Sequence, residues 1–512
     1  MSNGTVVLRA FRYALDPTRG QMAGLNRHVG AARWAFNHAL AVKQAAHRRW
    51  RAECDALVAS GMDEKAARKR VSVKVPGMRE IRTHLNRIKG DSRKQTPVPG
   101  SHGPHRPLDW GWEVSTYALQ CAFEDADKAW KNWLSSVTGQ RAGARVGYPR
   151  FKAKRGARQA FRICHDINNP TIRPDGYRRL LVPRLGSVRL HDTNKTMTRL
   201  INSGRAVVKS VTISRGGHRW YASVLCEVRQ EPGITTRAQK TRGRVGMDLG
   251  VHALAALSAP LPLSRGAAGT MLVPNPRHAN VGRDRLTRAQ RAWARTVKGS
   301  RRRDRAARRI ARVQHQIAQR RATGLHTLTK RIATGFAVVA VENLHVKGMT
   351  ASARGTRDNP GRKVRQKAGL NRAILDASMG ELRRQLAYKT SWYGSRLAVL
   401  DRYWPSSKTC SDCGWRNPSL TLADRVFTCT DCGLTMDRDL NAARNIARHA
   451  HVASGRGETV NTPMEGAEVP TPARAKGSTR RSGKTRLQRP GHPGGAILRP
   501  PEQRAHQPAI QP

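Results

Sequence analysis

At 512 residues, 38% of them hydrophobic, the chain is long enough to bury two or three cores. Its 95 Lys and Arg stand against 34 Asp and Glu, and the resulting net charge of +61 calls for a polyanionic partner, for which nucleic acid is the expected candidate. No apolar run reaches the roughly 18 residues of a membrane span, and no basic-then-apolar leader opens the chain, so a soluble, cytoplasmic protein is expected rather than a membrane protein.

The predicted elements begin with a strand over residues 6–13, followed by a helix with Leu25, Val29, Ala32, Trp34, Ala35 and Leu40 on its buried stripe. Residues from about 57 to 110 are basic and broken by Pro and Gly, which predicts a partly looped stretch. In a second helix Leu119, Ala122, Phe123, Ala126, Trp130 and Trp133 recur near three and four residues, so its aromatics read as core rather than as base-stacking platforms. From 141 the texture changes. Residues 148–155 mix bases with aromatics, and strands are expected at 160–164, 179–182, 186–190, 206–214 and 219–228, the last pair forming a hairpin through Arg215-Gly216-Gly217-His218. An all-β unit wrapped around the early helices, with a basic surface, is the simplest arrangement.

A third texture begins at 244. Arg244-Val245-Gly246-Met247-Asp248-Leu249-Gly250 is an apolar strand ending in an acid and a glycine, and a strand at 253–258 follows. Residues 283–332 are helical and densely basic, with Ile310, Val313, Ile317, Leu325, Leu328 and Ile332 on the buried stripe and a break at Gly299. Residues 336–342 are the continuous apolar run of a strand covered on both faces. A helix at 370–390 and a strand at 396–401 complete a βαβ-like half. Beyond about 452 the chain is rich in Pro, Gly, Thr and Arg without periodicity, which predicts a disordered basic tail over 451–512.

Asp248 and Glu342 each end an apolar strand, where an acid is costly to bury unless its charge is offset by an arginine or a metal. A third acid comes from Asp437-Arg438-Asp439-Leu440-Asn441-Ala442-Ala443-Arg444-Asn445-Ile446, which starts a helix with small residues toward the sheet. Three such acids can converge at one sheet edge. Their hard oxygen donors would suit Mg²⁺ or Mn²⁺, and a pair of such ions can clamp the displacement at a phosphodiester. Cys410-x-x-Cys413 and Cys429-x-x-Cys432, each followed by glycine, have the spacing of a four-thiolate ribbon holding structural Zn²⁺. An iron–sulfur cluster would fit the ligands but not the ribbon-like strand 425–428 between them. Cys54, Cys121, Cys164 and Cys226 are isolated in sequence and read as core or surface positions, and His252 is given no catalytic role.

The run Gly246-Met247-Asp248-Leu249-Gly250, the run Val341-Glu342-Asn343-Leu344 and the cysteine ribbon leading into 437–443 together resemble the TnpB family. These proteins are encoded by insertion sequences and are similar to type V CRISPR effector nucleases. Tyr148-Pro149-Arg150-Phe151-Lys152, Trp220-Tyr221-Ala222-Ser223 and Ser406-Ser407-Lys408-Thr409-Cys410-Ser411 extend the resemblance over about 5–450. It implies a multidomain α+β protein. A nucleic-acid-binding β-barrel at 1–240, with a helical insertion at about 15–140, would precede an RNase H-like (RuvC) α/β nuclease domain at 241–450 with a zinc ribbon inserted at 406–436. It also implies a guide RNA from the protein's own element, a double-stranded DNA target, and catalytic acids Asp248, Glu342 and Asp439. Asp439 is preferred to Asp437 because it stands two residues before Asn441, as in the family's D-x-N-A-A pattern. A monomer is expected. The basic stretch near 57–106 and the long tail depart from the family pattern. Two other readings compete: a cut-and-paste transposase, whose acids usually run Asp, Asp, Glu, and a zinc-ribbon regulator that binds nucleic acid without cutting it. No zinc-finger array or helix-turn-helix signature is evident that would read a long site through base edges, so a guide is expected to supply the specificity.

Overall fold

Two β-sheets, drawn from different parts of the sequence, organise the chain. The computed structural model describes residues 5–88 and 110–454, apart from 155–156, 167, 232, 263–268 and 422. The tail expected over 451–512 is corrected at its start, where residues 451–454 end the helix Arg438–Ser454; the rest of it, from 455 onward, and the basic residues 89–106 lie outside the described residues.

The first sheet contains β1 (Thr5–Asp16), β2 (Ala160–Cys164), β3 (Arg173–Pro174), β4 (Arg179–Val182), β5 (Gly186–Leu190), β6 (Ala206–Gly216) and β7 (Arg219–Gln230), in the order β2-β6-β7-β1-β5-β4-β3. β1 pairs antiparallel with β7 from Thr5 opposite Gln230 to Leu15 opposite Trp220. Along β1, Phe11, Tyr13 and Leu15 point into the core while Val6 and Leu8 are exposed, the period of two expected of a strand with one covered face. The described residues between β1 and β2 are mostly helical. The helix Arg19–Ala59 starts at Thr18, whose hydroxyl accepts from the Gln21 amide at 3.2 Å, and it packs with the helix Thr116–Val137 beside the sheet. The looped stretch expected from 57 to 110 is corrected in part. Residues to Ala59 continue the first helix, and Glu64–Arg70 and Met78–Ile88 form two more. Their few buried apolar residues (Ala67, Ile81, Leu85) leave little periodicity among the bases. β3 and the helix Lys195–Asn202 also escaped the sequence pattern.

The second sheet contains β8 (Arg244–Asp248), β9 (Ala253–Leu257), β10 (Leu272–Pro274), β11 (Val338–Glu342) and β12 (Arg396–Leu400), in the order β10-β9-β8-β11-β12. Pairing is antiparallel from β10 through β8 and parallel from β8 through β12. On one face Val245, Met247, Val339 and Val341 meet Leu325, Leu328 and Ile332 of the helix Arg301–Gly335 and Leu382 and Leu386 of the helix Met379–Trp392. On the other, Ala340 and Leu400 meet Ile446 and Ala450 of the helix Arg438–Ser454. This double cover is why β11 reads as an unbroken apolar run. The break at Gly299 separates the helices Arg283–Ala294 and Arg301–Gly335 as expected. The single helix expected at 370–390 is instead two, Val364–Ala377 and Met379–Trp392, because the backbone turns left-handed at Ser378 with φ of 55°. β13 (Val426–Thr428) and β14 (Thr435–Asp437) form a separate hairpin. Among the described residues no helix is long and apolar enough to cross a membrane.

Candidate active site

The register of the second sheet brings two acids to one edge. β8 and β11 run parallel with Met247 opposite Val341, so Asp248 and Glu342 follow one step later on neighbouring strands. Side chains alternate along a strand, so Gly246 with Asp248, and Ala340 with Glu342, face the helix Arg438–Ser454. That helix lies very close to β8. A β-carbon at Gly246 would stand 2.1 Å from the Ala443 carbonyl oxygen and 2.4 Å from the Ala447 nitrogen, so only glycine permits the approach. Ala442, Ala443 and Ile446 are buried in the same contact, and the helix's first turn carries Asp439 to the sheet edge.

Asp248, Glu342 and Asp439 line one cleft of about 390 Å³, together with Arg402, Trp404, Ser406, Arg425 and Arg438. Burial, then the neighbouring Glu342 and Asp439 carboxylates, pushes the Asp248 acid up to about 7 against the opposing pull of Arg438. Burial also raises Glu342, while the Ser406 hydroxyl, donating to Glu342 Oε1, works in the opposite direction. Arg438 Nη2 donates to Asp439 Oδ1 at 3.2 Å. The helix N-terminus adds a partial positive charge near Asp439. Oxygen donors that repel one another in a partly buried cleft fit a hard divalent cation, which would offset that repulsion.

Asp437 is placed differently. Its Oδ1 accepts from the amides of Asp439 at 2.9 Å and Leu440 at 3.0 Å, so it caps the helix, and it does not line the cleft. His252 is exposed on the cleft wall. Nothing in the sequence marks Ser406 or the arginines at 402, 425 and 438 as site residues. They lie in loops or beside the motif acids, where no spacing rule marks them.

The four predicted thiolate ligands are also brought together. One sulfur from each of Cys410, Cys413, Cys429 and Cys432 lies within 4.8 Å of the others, with Cys410 to Cys432 at 3.6 Å and Cys413 to Cys429 at 3.5 Å. A tetrahedral ion with bonds of roughly 2.3 Å to sulfur sets its ligands about 3.8 Å apart, so the group fits a zinc-like ion. Among the described residues the three acids are not gathered this tightly. Two buried asparagines tie the cysteine loop to the acid-bearing helix. Asn441 accepts from the Ser411 amide at 2.8 Å and donates to the Thr409 carbonyl at 2.7 Å, and Asn445 donates to the Ser406 carbonyl at 2.9 Å.

Three family models match parts of the chain. Residues 223–353 match one described as a probable transposase, residues 380–446 the Cas12f1-like TNB domain, and residues 1–51 a helix-turn-helix domain. In this last stretch the described residues form β1 and the start of one uninterrupted helix, so no turn joins two helices there. Rv2885c of Mycobacterium tuberculosis H37Rv is 34% identical over 95% of this chain and 95% of its own length. InsQ of Escherichia coli K12 is 31% identical over 91% of this chain and 98% of its own. Both are provisionally named RNA-guided DNA endonucleases. Among solved structures, a Cas12f1–sgRNA–target DNA complex aligns over 86% of this chain and 99% of that one, at 11% identity and a TM-score of 0.41.

Proposed function

Because the chain belongs to the TnpB family of insertion-sequence proteins, we propose that it is an RNA-guided DNA endonuclease whose catalytic acids are Asp248, Glu342 and Asp439. The observation that carries this reading is their meeting: acids from two strand ends and one helix start line a single cleft in a chain of net charge +61. We read the five-stranded sheet with its flanking helices, residues 241–450, as an RNase H-like (RuvC) nuclease domain. The seven-stranded sheet with its helical insertion, residues 1–240, is read as the nucleic-acid-binding barrel. A guide RNA from the protein's own element and a double-stranded DNA target are the partners, with the protein acting as a monomer.

Mg²⁺ or Mn²⁺ held by the three acids would neutralise charge developing on the phosphodiester and activate the attacking water. The chain's own residues prepare the cleft. Ser406 orients Glu342, and Arg438 holds Asp439. The Arg402 and Arg425 guanidinium groups offer charge to a phosphate backbone. Zn²⁺ on Cys410, Cys413, Cys429 and Cys432 is structural, because four protein ligands leave no open position. The order Asp, Glu, Asp disfavours a cut-and-paste transposase. The test incubates RNA-stripped protein and Mg²⁺ with a plasmid library, with and without RNA from the native locus. Cutting only in the tube with RNA is expected, and equal cutting in both would overturn the guide requirement.

A further inference from the structure

A second group of ligand atoms lies away from the cleft. Cys121 and Glu124 are three residues apart on the helix Thr116–Val137 and so share a face. That face lies against Cys164, the last residue of β2. One ligand atom from each residue lies within 4.8 Å of the other two, and the Cys164 sulfur is 3.8 Å from Glu124 Oε2. A tetrahedral ion with bonds of roughly 2.3 Å to sulfur and 2.1 Å to oxygen would set those two donors about 3.6 Å apart. Cys121 is fully buried, while Cys164 and Glu124 are half-buried, so the group is reachable from one side. We propose that Cys121, Glu124 and Cys164 bind one thiophilic divalent cation of the zinc class, which staples the helix Thr116–Val137 to β2.

The neighbouring Arg162 looks at first like an obstacle. Its Nη2 donates to Glu124 Oε2 at 3.2 Å and to Asp125 Oδ1 at 2.8 Å, and Nη1 lies 3.9 Å from the Cys164 sulfur. Counting charge removes the difficulty. Without metal, two neutral thiols, the Glu124 carboxylate and the guanidinium sum to zero. A divalent ion that binds both thiols releases their two protons to solvent, so the group again sums to zero. Arg162 then becomes the counter-ion of an anionic centre of two thiolates and one carboxylate. Gln120 Nε2 donates to Glu124 Oε1 at 3.3 Å and helps orient the ligand, as outer partners of metal sites commonly do. Three protein donors leave the fourth position to water. In sequence the two cysteines lie too far apart to read as a motif, and only the packing of helix on strand joins them.

The experiment is a metal count on the full-length chain, free of nucleic acid, saturated with Zn²⁺ and then dialysed. Two zinc ions per chain are expected for the wild type, and one for Cys164→Ser or Cys121→Ser. Cys429→Ser should keep one ion, and Co²⁺ loaded into that variant should still show a thiolate-to-metal absorption band. Glu124→Gln should weaken retention of the second ion if the buried Cys121→Ser fails to fold. One zinc per chain in the wild type, unchanged by Cys164→Ser, would overturn the proposal. So would a Cys121–Cys164 disulfide found by peptide mapping of zinc-saturated protein, which would make the pair a redox couple instead.

Discussion

The knot of four free cysteines at 410–432 and the carboxylate cleft lie close together but are assembled in opposite ways. The knot takes all four ligands from residues 410–432, and its sulfurs already stand near tetrahedral spacing. The cleft takes its acids from positions 248, 342 and 439, which meet only once β8 and β11 pair and the helix Arg438–Ser454 docks on Gly246. A locally encoded site can organise as soon as its ion binds, whereas a site made by long-range pairing depends on the whole domain. Asn441 and Asn445 link the two, so a loss of order in the knot should reach Asp439.

The largest effect that would sharpen this contrast falls on the acids. Asp248→Ala, Glu342→Ala and Asp439→Ala should each reduce cleavage to background while leaving DNA binding intact in a mobility-shift assay. On the proposed reading each removes a charge that would hold the metal but leaves the basic surface untouched. Binding lost in parallel with cleavage would show that the acids hold the fold rather than the ions.

Cys429→Ser should act by a different route. Three thiolates remain, the knot should release its zinc, and cleavage should fall at least tenfold through misplacement of the helix that carries Asp439. Activity should recover partly at lower temperature, which no acid variant should do. Full activity in a zinc-free knot would break the proposed link between the two sites.

Asn441→Ala probes that link directly. It leaves the buried Ser411 amide without its side-chain partner, at a cost of about 1–3 kcal/mol, while the Thr409 carbonyl keeps the bond it accepts from Asn445. Turnover should drop several-fold with unchanged DNA affinity and a full zinc content. Loss of zinc in this variant would instead place Asn441 among the supports of the knot.

The same contrast explains what the sequence made legible. The knot could be read from spacing alone, because its ligands and turns are local. Asp248 and Glu342 were visible as acids ending apolar strands, but their meeting depends on a register that no single strand contains. Ser406 stands in a motif of the resemblance, but neither it nor Arg425 is marked as a cleft residue, since their places are fixed by Asn445 of the packed helix, which donates to the Ser406 carbonyl, and by the Arg438 amide, which donates to the Arg425 carbonyl. The helix break at Ser378 was hidden for a related reason. A left-handed serine has no mark of its own, unlike Gly299, where the earlier break was readable. Cys121 and Cys164 looked isolated because a helix and a strand distant in sequence bring them together.

The smallest expected effect separates the two aspartates of the Asp437-Arg438-Asp439 motif. From the sequence they are rivals for the third catalytic position, with Asp439 favoured by its distance from Asn441. Their hydrogen bonds give them different work: the Asp437 carboxylate accepts two backbone amides at the helix start, while Asp439 lines the cleft beside Arg438. Losing an N-cap costs about 1 kcal/mol, whereas asparagine caps nearly as well as aspartate. Asp437→Ala should therefore lower the melting temperature slightly and trim cleavage only modestly, and Asp437→Asn should restore both. Asp439→Asn should be inactive at unchanged stability, because an amide keeps the shape of the side chain but not the charge that would hold the ion. An Asp437→Asn variant as inactive as Asp439→Asn would move the third ligand to Asp437.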